Sequence, residues 1–479
     1  MDLEKLFKPK SMGVVGISKR NPLSPGRIVL LKNEFEMNVE VFGIYPTGGD
    51  IEGIQLYERL DKLPKIPDLL VIAVGPDDTL GYIQDCADLG VPSSVIISGG
   101  FAEIGGKGKK RQQMLEKIAF DNDIAVLGPN CIGVYAPPLV DTLFLPTERI
   151  TRPPKGSVAL ISQSGGILVD QFFNKFKERN IGVSTAVSIG NRAVVDETML
   201  LEYFSKVDKE TTNIAFYLEG FKEGRARSFL QLAKESEDTV VTFFGGKTRE
   251  GKVATQSHTA SLAGNYKILS AALRQYQIIQ PSSERELLTS LKVYDVLSHR
   301  KNPFGKNVIT YGDVVIVSVS GGHGVIASDM LKKYGLNAVR LERQEKKDLK
   351  EFMNPAAREI ASFNNPIDLT GSVIDTDIED IVRYLSDVER IECIILLLLP
   401  YPPNISFQIG RRIANIVSTK NKPVVCFVPY VPKYAIIIES LELAYIPTFH
   451  SIKETIQAVS ALKHRTRIDN VKKGHLFWE

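Results

Sequence analysis

Short apolar runs alternate with amphipathic stretches along almost the whole chain. Residues 12–17, 39–45, 69–74, 94–98 and 124–127 are apolar, short and bounded by turn residues, which predicts buried strands. Between them, 27–35, 79–89 and 110–122 repeat apolar residues at helical spacing. Such alternation predicts an α/β fold with a doubly wound parallel sheet, whose ligands bind where the strands end. The ends read Gly16-Ile17-Ser18, Tyr45-Pro46-Thr47-Gly48-Gly49, Val74-Gly75-Pro76, Ser98-Gly99-Gly100-Phe101 and Gly128-Pro129-Asn130-Cys131. So many Gly-bearing ends on one edge point to a nucleotide-bearing ligand, whereas one or two would mean only tight turns.

Residues 136–156, rich in Pro, Thr and Arg, read as a linker. A second block then opens with strand 157–161, which passes at once into Ser162-Gln163-Ser164-Gly165-Gly166 and a helix over 167–178. Strands 183–189, 213–218 and 239–244 follow, and the middle one ends in Glu219-Gly220 on the binding edge. After a helix over 287–298 and a second linker, 299–312, a third block opens in the same way: strand 313–317, Ser318-Val319-Ser320-Gly321-Gly322, helix 325–334. A strand running through Ser and Gly into a helix leaves free backbone N–H groups at the helix's positive end, which is an anion site. Two copies flanking a histidine-bearing loop fit one shared phosphate. The third block continues through strands 393–399 and 423–428 to a closing helix over 452–462, and the residues beyond Lys463 read as a peripheral polar tail.

Composition narrows the class without naming it. The chain has 479 residues, 43% apolar and 24% charged, which describes a soluble globular protein of several domains. Net charge is +3 from 59 basic and 56 acidic side chains, with no long basic block, which weighs against nucleic acid as the ligand. Cys86, Cys131, Cys393 and Cys426 are scattered in or beside apolar runs and read as reduced core thiols. Neither they nor the six histidines show metal-ligand spacing, so no metal site is expected on this chain. The longest aliphatic run, 394–399, fits a buried strand and is too short for a bilayer, and the start of the chain has no leader pattern. A cytoplasmic protein is the expectation.

Candidate chemistry centres on Gln256-Ser257-His258-Thr259-Ala260-Ser261-Leu262-Ala263-Gly264, where one imidazole stands among small hydroxyl, Ala and Gly residues. Imidazole is largely unprotonated near neutral pH, and small neighbours leave room for a tetrahedral group on the ring. The first turn lacks the dinucleotide fingerprint: Lys19-Arg20 replaces the third glycine, and no acidic residue ends the second strand. An NAD-dependent oxidoreductase is therefore disfavoured. Lys19, Arg20 and Arg27 instead suit a ligand with an extra phosphate, as coenzyme A has.

Six segments in order carry a resemblance: Ser98-Gly99-Gly100-Phe101-Ala102-Glu103, Leu127-Gly128-Pro129-Asn130-Cys131-Ile132-Gly133, Ser162-Gln163-Ser164-Gly165, Tyr217-Leu218-Glu219-Gly220, Ser257 to Gly264, and Asn365-Pro366-Ile367-Asp368-Leu369-Thr370-Gly371. Over nearly its whole length the chain resembles the alpha subunit of ADP-forming acyl-CoA synthetases (acetate–CoA ligase, ADP-forming), of the succinyl-CoA synthetase superfamily. The resemblance implies an N-terminal Rossmann-like CoA-binding domain (1–136), two flavodoxin-like succinyl-CoA-synthetase-type domains (155–299 and 311–464) and the tail 465–479. It implies a reversible reaction, acyl-CoA + ADP + phosphate giving carboxylate + ATP + CoA, through an acyl phosphate and a phosphohistidine. His258 matches that histidine and Glu219 its carboxylate partner. Ser162, Ser164, Gly165, Gly166, Gly321 and Gly322 are the phosphate-binding candidates; Gly16, Ser18, Lys19, Arg27, Pro46, Val74, Ser98, Gly99, Asn130 and Cys131 are the CoA-binding candidates.

The three α/β blocks use up the chain, so ADP/ATP and Mg2+ are expected mainly on a separate ATP-grasp beta subunit, in an α2β2 heterotetramer. Two stretches depart from the family pattern: Val319-Ser320-Gly321-Gly322-His323-Gly324, which adds a histidine, and the turn Tyr45 to Gly49. The alternative reading is a non-catalytic CoA-binding or acyltransferase-linked regulatory subunit of the same fold. Retention of both His258 and Glu219 weighs against it.

Overall fold

The computed structural model describes residues 1–251, 253, 266–298 and 309–473. It divides into two compact units, Met1–Ser282 and Ser283–Glu479.

The first unit holds two sheets. The first comprises β1 (Ser11–Val15), β2 (Glu40–Ile44), β3 (Gly49–Ile51), β4 (Ile54–Tyr57), β5 (Leu69–Ile72), β6 (Ser93–Ile96) and β7 (Ala125–Leu127), in the order β3-β4-β2-β1-β5-β6-β7. All pairings are parallel except β3 with β4. The five expected strands are present, each shorter by a residue or more than its apolar run. The edge hairpin β3–β4 has no counterpart in the sequence reading, because two of the three β3 residues face solvent and give no apolar run. Helices Pro25–Glu36, Pro76–Leu89 and Gly106–Asp121 cover the sheet. Gly16 has φ +89°, and a Cβ there would lie 2.2 Å from the Ala73 carbonyl oxygen, so only glycine lets β1 turn beside β5.

The second sheet comprises β8 (Val134–Ala136), β9 (Val140–Asp141), β10 (Lys155–Ser162), β11 (Val183–Ser188), β12 (Asn213–Leu218) and β13 (Thr239–Phe244), ordered β13-β12-β10-β11-β8-β9. Here the reading of 136–156 as a linker is corrected: its first residues belong to an antiparallel edge hairpin on β11. The buried Asn33, on helix Pro25–Glu36, accepts from the Asp141 N–H at 2.9 Å and donates to its carbonyl at 2.6 Å. Asp141 is itself fully buried and pairs with Lys32 at 2.8 Å and Arg152 at 2.9 Å. Partners so far away in sequence leave no local pattern, and the prolines dominate the composition.

The two sheets are joined through the backbone, the N–H groups of Ala193 and Val195 donating to the Gly128 and Val126 carbonyls at 3.0 and 3.1 Å. One apolar core runs through both, from Val14 and Val71 to Ile161, Phe204 and Phe216.

In the second unit, β14 (Asp313–Ser318), β15 (Asn337–Ala338), β16 (Ile367–Asp368), β17 (Cys393–Leu397), β18 (Val424–Phe427) and β19 (Thr448–Phe449) form a parallel sheet ordered β15-β14-β17-β18-β19, with β16 also on β14. The closing helix does not stop at 462: it runs Ile452–Lys472 and buries Thr466 and Ile468, so the residues after Lys463 are not all a peripheral tail. Helix Glu284–Ser298 packs in this unit. Its Tyr294 hydroxyl donates to the Ala461 carbonyl at 3.0 Å, and its Arg285 pairs with Glu454 at 2.8 Å. No described helix is long and apolar enough to cross a membrane.

Candidate functional site

The first turn of the second sheet has the geometry its sequence calls for. β10 ends at Ser162, whose buried hydroxyl donates to the Ser164 carbonyl at 2.6 Å and ties the turn to the strand. The Gln163 N–H donates to the Tyr217 carbonyl at 3.0 Å. Gly165 and Gly166 then enter the π-helical segment Ile167–Phe173, leaving backbone N–H groups at its start. Gly165 lies against Ile132: a Cβ on it would approach the Ile132 Cγ1 to 2.4 Å. In the second unit, the Ser318 hydroxyl donates to the Ser320 carbonyl at 2.7 Å, the same bond at the same register, and helix Gly321–Leu331 follows. The repeated motif is thus a repeated structure. His323 adds a ring nitrogen 3.2 Å from the Ser320 hydroxyl, and Asp368 lies beside Gly321, whose Cβ would come within 2.6 Å of its carboxylate.

A cavity of about 270 Å3 opens where the two sheets of the first unit meet. Asn130 and Cys131, beyond β7, line one side; Gln163, Ser164, Gly165 and Gly166 line the other. Ser188, the last residue of β11, Gly190, Asn191 and Arg192 beyond it, and the apolar Ile97, Ile132 and Phe144 complete it. Two CoA candidates and three phosphate candidates therefore share one space. Asn191 holds the wall, donating to the Glu103 carboxylate at 2.5 Å and to Gln112 at 3.2 Å. Burial pushes the Glu103 carboxyl up, but the Asn191 amide and the Gly100 and Phe101 N–H groups outweigh it and hold the group below the usual carboxylate range. Burial pushes the Cys131 thiol up to about 12, and its hydrogen bonds to the Ile96 carbonyl at 3.3 Å, so Cys131 is a packing residue of the wall with no thiolate to offer. Sequence reasoning missed the strand end Ser188 to Arg192. The signal was available, since Gly190-Asn191 closes a strand on the binding edge as the other turns do.

Glu219 follows β12 next to this wall, with its N–H donating to the Gln163 side chain at 2.8 Å. Burial first, then the charge and hydrogen bond of Glu219, push the Tyr217 hydroxyl up to about 12. Gly245, which opens the segment leading toward His258, packs on the same pair: its Cβ would lie 2.7 Å from the Tyr217 hydroxyl and 3.6 Å from the Glu219 Cγ. His258 itself, with residues 254–265, lies outside the described residues.

The remaining CoA candidates line the carboxyl edge of the first sheet. The Ser18 N–H donates to the Ser24 hydroxyl at 3.1 Å, closing the first turn. Lys19 donates to the Gly48 carbonyl at 2.7 Å and sits 5.0 Å over the Tyr45 ring, bringing the first and second turns together. Arg27 pairs with Glu52 at 2.6 Å. Pro46 and Gly99 are exposed, and Val74 and Ser98 are half-buried along the same edge. Among the described residues no group of three His, Cys, Asp or Glu side chains is placed to hold a metal ion.

This arrangement defines a class: a CoA-binding domain, matched over residues 10–137, joined to a succinyl-CoA ligase-like flavodoxin domain, matched over 155–294. Among curated proteins, the chain is 32% identical to the alpha subunit of acetate–CoA ligase (ADP-forming) I of Pyrococcus furiosus, over 96% of this chain and 97% of that protein. It is 31% identical to acetate–CoA ligase (ADP-forming) I of Archaeoglobus fulgidus, of which it spans 64%. Among solved structures, an acetyl-coenzyme A synthetase 1 of Ca. Korarchaeum cryptofilum, in complex with phosphate and ADP, superposes with a TM-score of 0.87 at 28% identity, covering all of both chains. The chain belongs to the family of ADP-forming acetate–CoA ligase alpha subunits.

Proposed function

We propose that this chain is the catalytic alpha subunit of an ADP-forming acyl-CoA synthetase, an acid–thiol ligase acting as acyl-CoA + ADP + phosphate = carboxylate + ATP + CoA. The cavity that brings Asn130 and Cys131 against the Ser164-Gly165-Gly166 turn carries this reading, because thioester and phosphate must meet. Phosphate oxygen attacks the thioester carbon, the C–S bond breaks, and CoA leaves as thiolate. The acyl phosphate so formed is a mixed anhydride. The His258 nitrogen attacks its phosphorus, the carboxylate leaves, and the phosphoryl group passes to ADP. Backbone N–H groups at the start of the helical segment stabilise phosphoryl oxygens through fixed dipoles. Glu219 orients the imidazole and offsets the positive charge that grows on it as the N–P bond forms.

ADP and Mg2+ bind on a partner beta subunit of ATP-grasp type, in an α2β2 assembly in the cytoplasm. The test is phosphate labelling. With labelled ATP, Mg2+ and the partner subunit, the wild-type chain acquires acid-labile phosphate and His258→Ala does not. Labelling that persists in His258→Ala overturns the assignment, and a wild-type chain that never labels favours a CoA-binding regulatory subunit.

A further inference from the structure

We infer that Arg192 is a positioning residue for the phosphohistidine step: its guanidinium ties the turn after β11 to the Glu219-Gly220 turn after β12, and so fixes where the Glu219 carboxylate stands. The inference rests on the function proposed above and adds a residue to the machinery of the same site.

The backbone around Glu219 is gripped from both sides by side chains that line the cavity. Before it, the Gln163 side chain accepts from the Glu219 N–H at 2.8 Å; after it, the Arg192 Nη1 donates to the Gly220 carbonyl at 2.8 Å. The Arg192 side chain is only 7% exposed, and its backbone has φ +58°, the left-handed region that residues with a Cβ seldom adopt. Glycine or asparagine would suit that backbone better, so the unfavourable conformation is offset by what the side chain binds.

The same nitrogen anchors a larger clamp. Nη1 also lies 3.1 Å from the carboxylate of Glu197, which is fully buried and accepts the Lys222 N–H at 2.6 Å with its other oxygen. The Lys222 ammonium returns to the Ala193 carbonyl at 2.9 Å, and Arg225 pairs with Asp196 at 2.7 Å. Charge-assisted bonds thus join residues 192–197 to 219–225. On its other side the turn is fixed to the first sheet, the Asn191 and Ala193 N–H groups donating to the Pro129 and Gly128 carbonyls at 2.9 and 3.0 Å. Without Arg192, Glu219 would keep Gln163 but lose the hold on its carbonyl side, and a small misplacement of a group acting on the reacting ring slows the step steeply.

The experiment follows single-turnover phosphohistidine formation from ATP and Mg2+ in the chain co-expressed with its partner subunit, with CoA affinity titrated alongside. Arg192→Asn suits the backbone but is too short to reach Gly220. Expected is a rate at least roughly ten-fold below wild type, with CoA affinity within about two-fold. In the Glu219→Gln background the same change should slow the step by less than about three-fold, because the carboxylate it positions is already gone. Arg192→Lys should recover most of the rate, since both contacts run through one nitrogen that an ammonium can replace. Thermal unfolding checks that the variants fold, and Arg192→Asn combined with Glu197→Gln avoids leaving a buried carboxylate unpaired if the single variant does not. A wild-type rate in folded Arg192→Asn overturns the inference while the ligase reading stands. So does an equal loss with and without the Glu219 carboxylate, which would make Arg192 a direct contact of the phosphoryl group. A wild-type chain that acquires no phosphate overturns the ligase reading and this inference with it.

Discussion

Glu219 links three parts of the molecule within a few bonds: β12 that carries it, Gln163 that accepts from its N–H at 2.8 Å, and the Tyr217 hydroxyl held up to about 12 in part by its charge. In the mechanism proposed above, the Glu219 carboxylate favours a positively charged imidazole over a neutral one, which is the state a histidine passes through when phosphorus bonds to it. Glu219→Gln keeps size and hydrogen bonding but removes the charge. CoA affinity should be unchanged, while phosphohistidine forms at least roughly 100-fold more slowly in single turnovers. A wild-type rate in the variant would leave Glu219 with a structural role alone.

At the scale of elements, the repeated turn is the unit that matters, because Ser162 and Ser318 make the same hydroxyl-to-carbonyl bond two residues on. Within the first copy the two glycines are not equivalent. A Cβ on Gly165 collides with Ile132, whereas one on Gly166 meets nothing within 4 Å. Gly166→Ala should therefore unfold near the wild-type temperature. Gly165→Ala forces Ile132 or the helix start to shift, at a cost of about 1–3 kcal/mol, and should slow acyl-phosphate formation. Equal melting temperatures for the two variants would mean the turn yields easily.

At the scale of the whole first unit, stability depends on how firmly the 134–141 hairpin is fixed between the sheets. Lys32 and Asp141 are nearly inaccessible, at 2% and 0% exposure, and 2.8 Å apart, and burial pushes the lysine's pKa down against the pull of its partner. Asp141→Asn leaves that ammonium buried without its carboxylate, which costs about 3–5 kcal/mol where one partner of a buried pair is removed. Chemical unfolding should show a loss of that order, with the midpoint falling and the slope unchanged. A variant as stable as the wild type would place the hairpin's anchorage in Asn33 and the apolar contacts instead.

The alternation of apolar runs with helical spacing was enough to read the parallel sheets, since each strand buried on both faces must be apolar along its length. Strand-to-turn junctions were legible for the same local reason: Ser and Gly at a helix start serve the backbone they belong to, so Ser162, Ser164, Gly165 and Glu219 could be singled out from sequence. What the chain alone did not disclose were pairings made at a distance. The hairpin held by Asn33, the cavity wall formed when the Ser188–Arg192 turn meets Asn130, and the packing of helix Glu284–Ser298 against Ile452–Lys472 all join residues far apart in the chain. Periodicity reports which face of an element is buried, but not against what. Only the packed structure chooses the partner, because that choice is made by the shape and charge of surfaces that do not exist until the elements have formed.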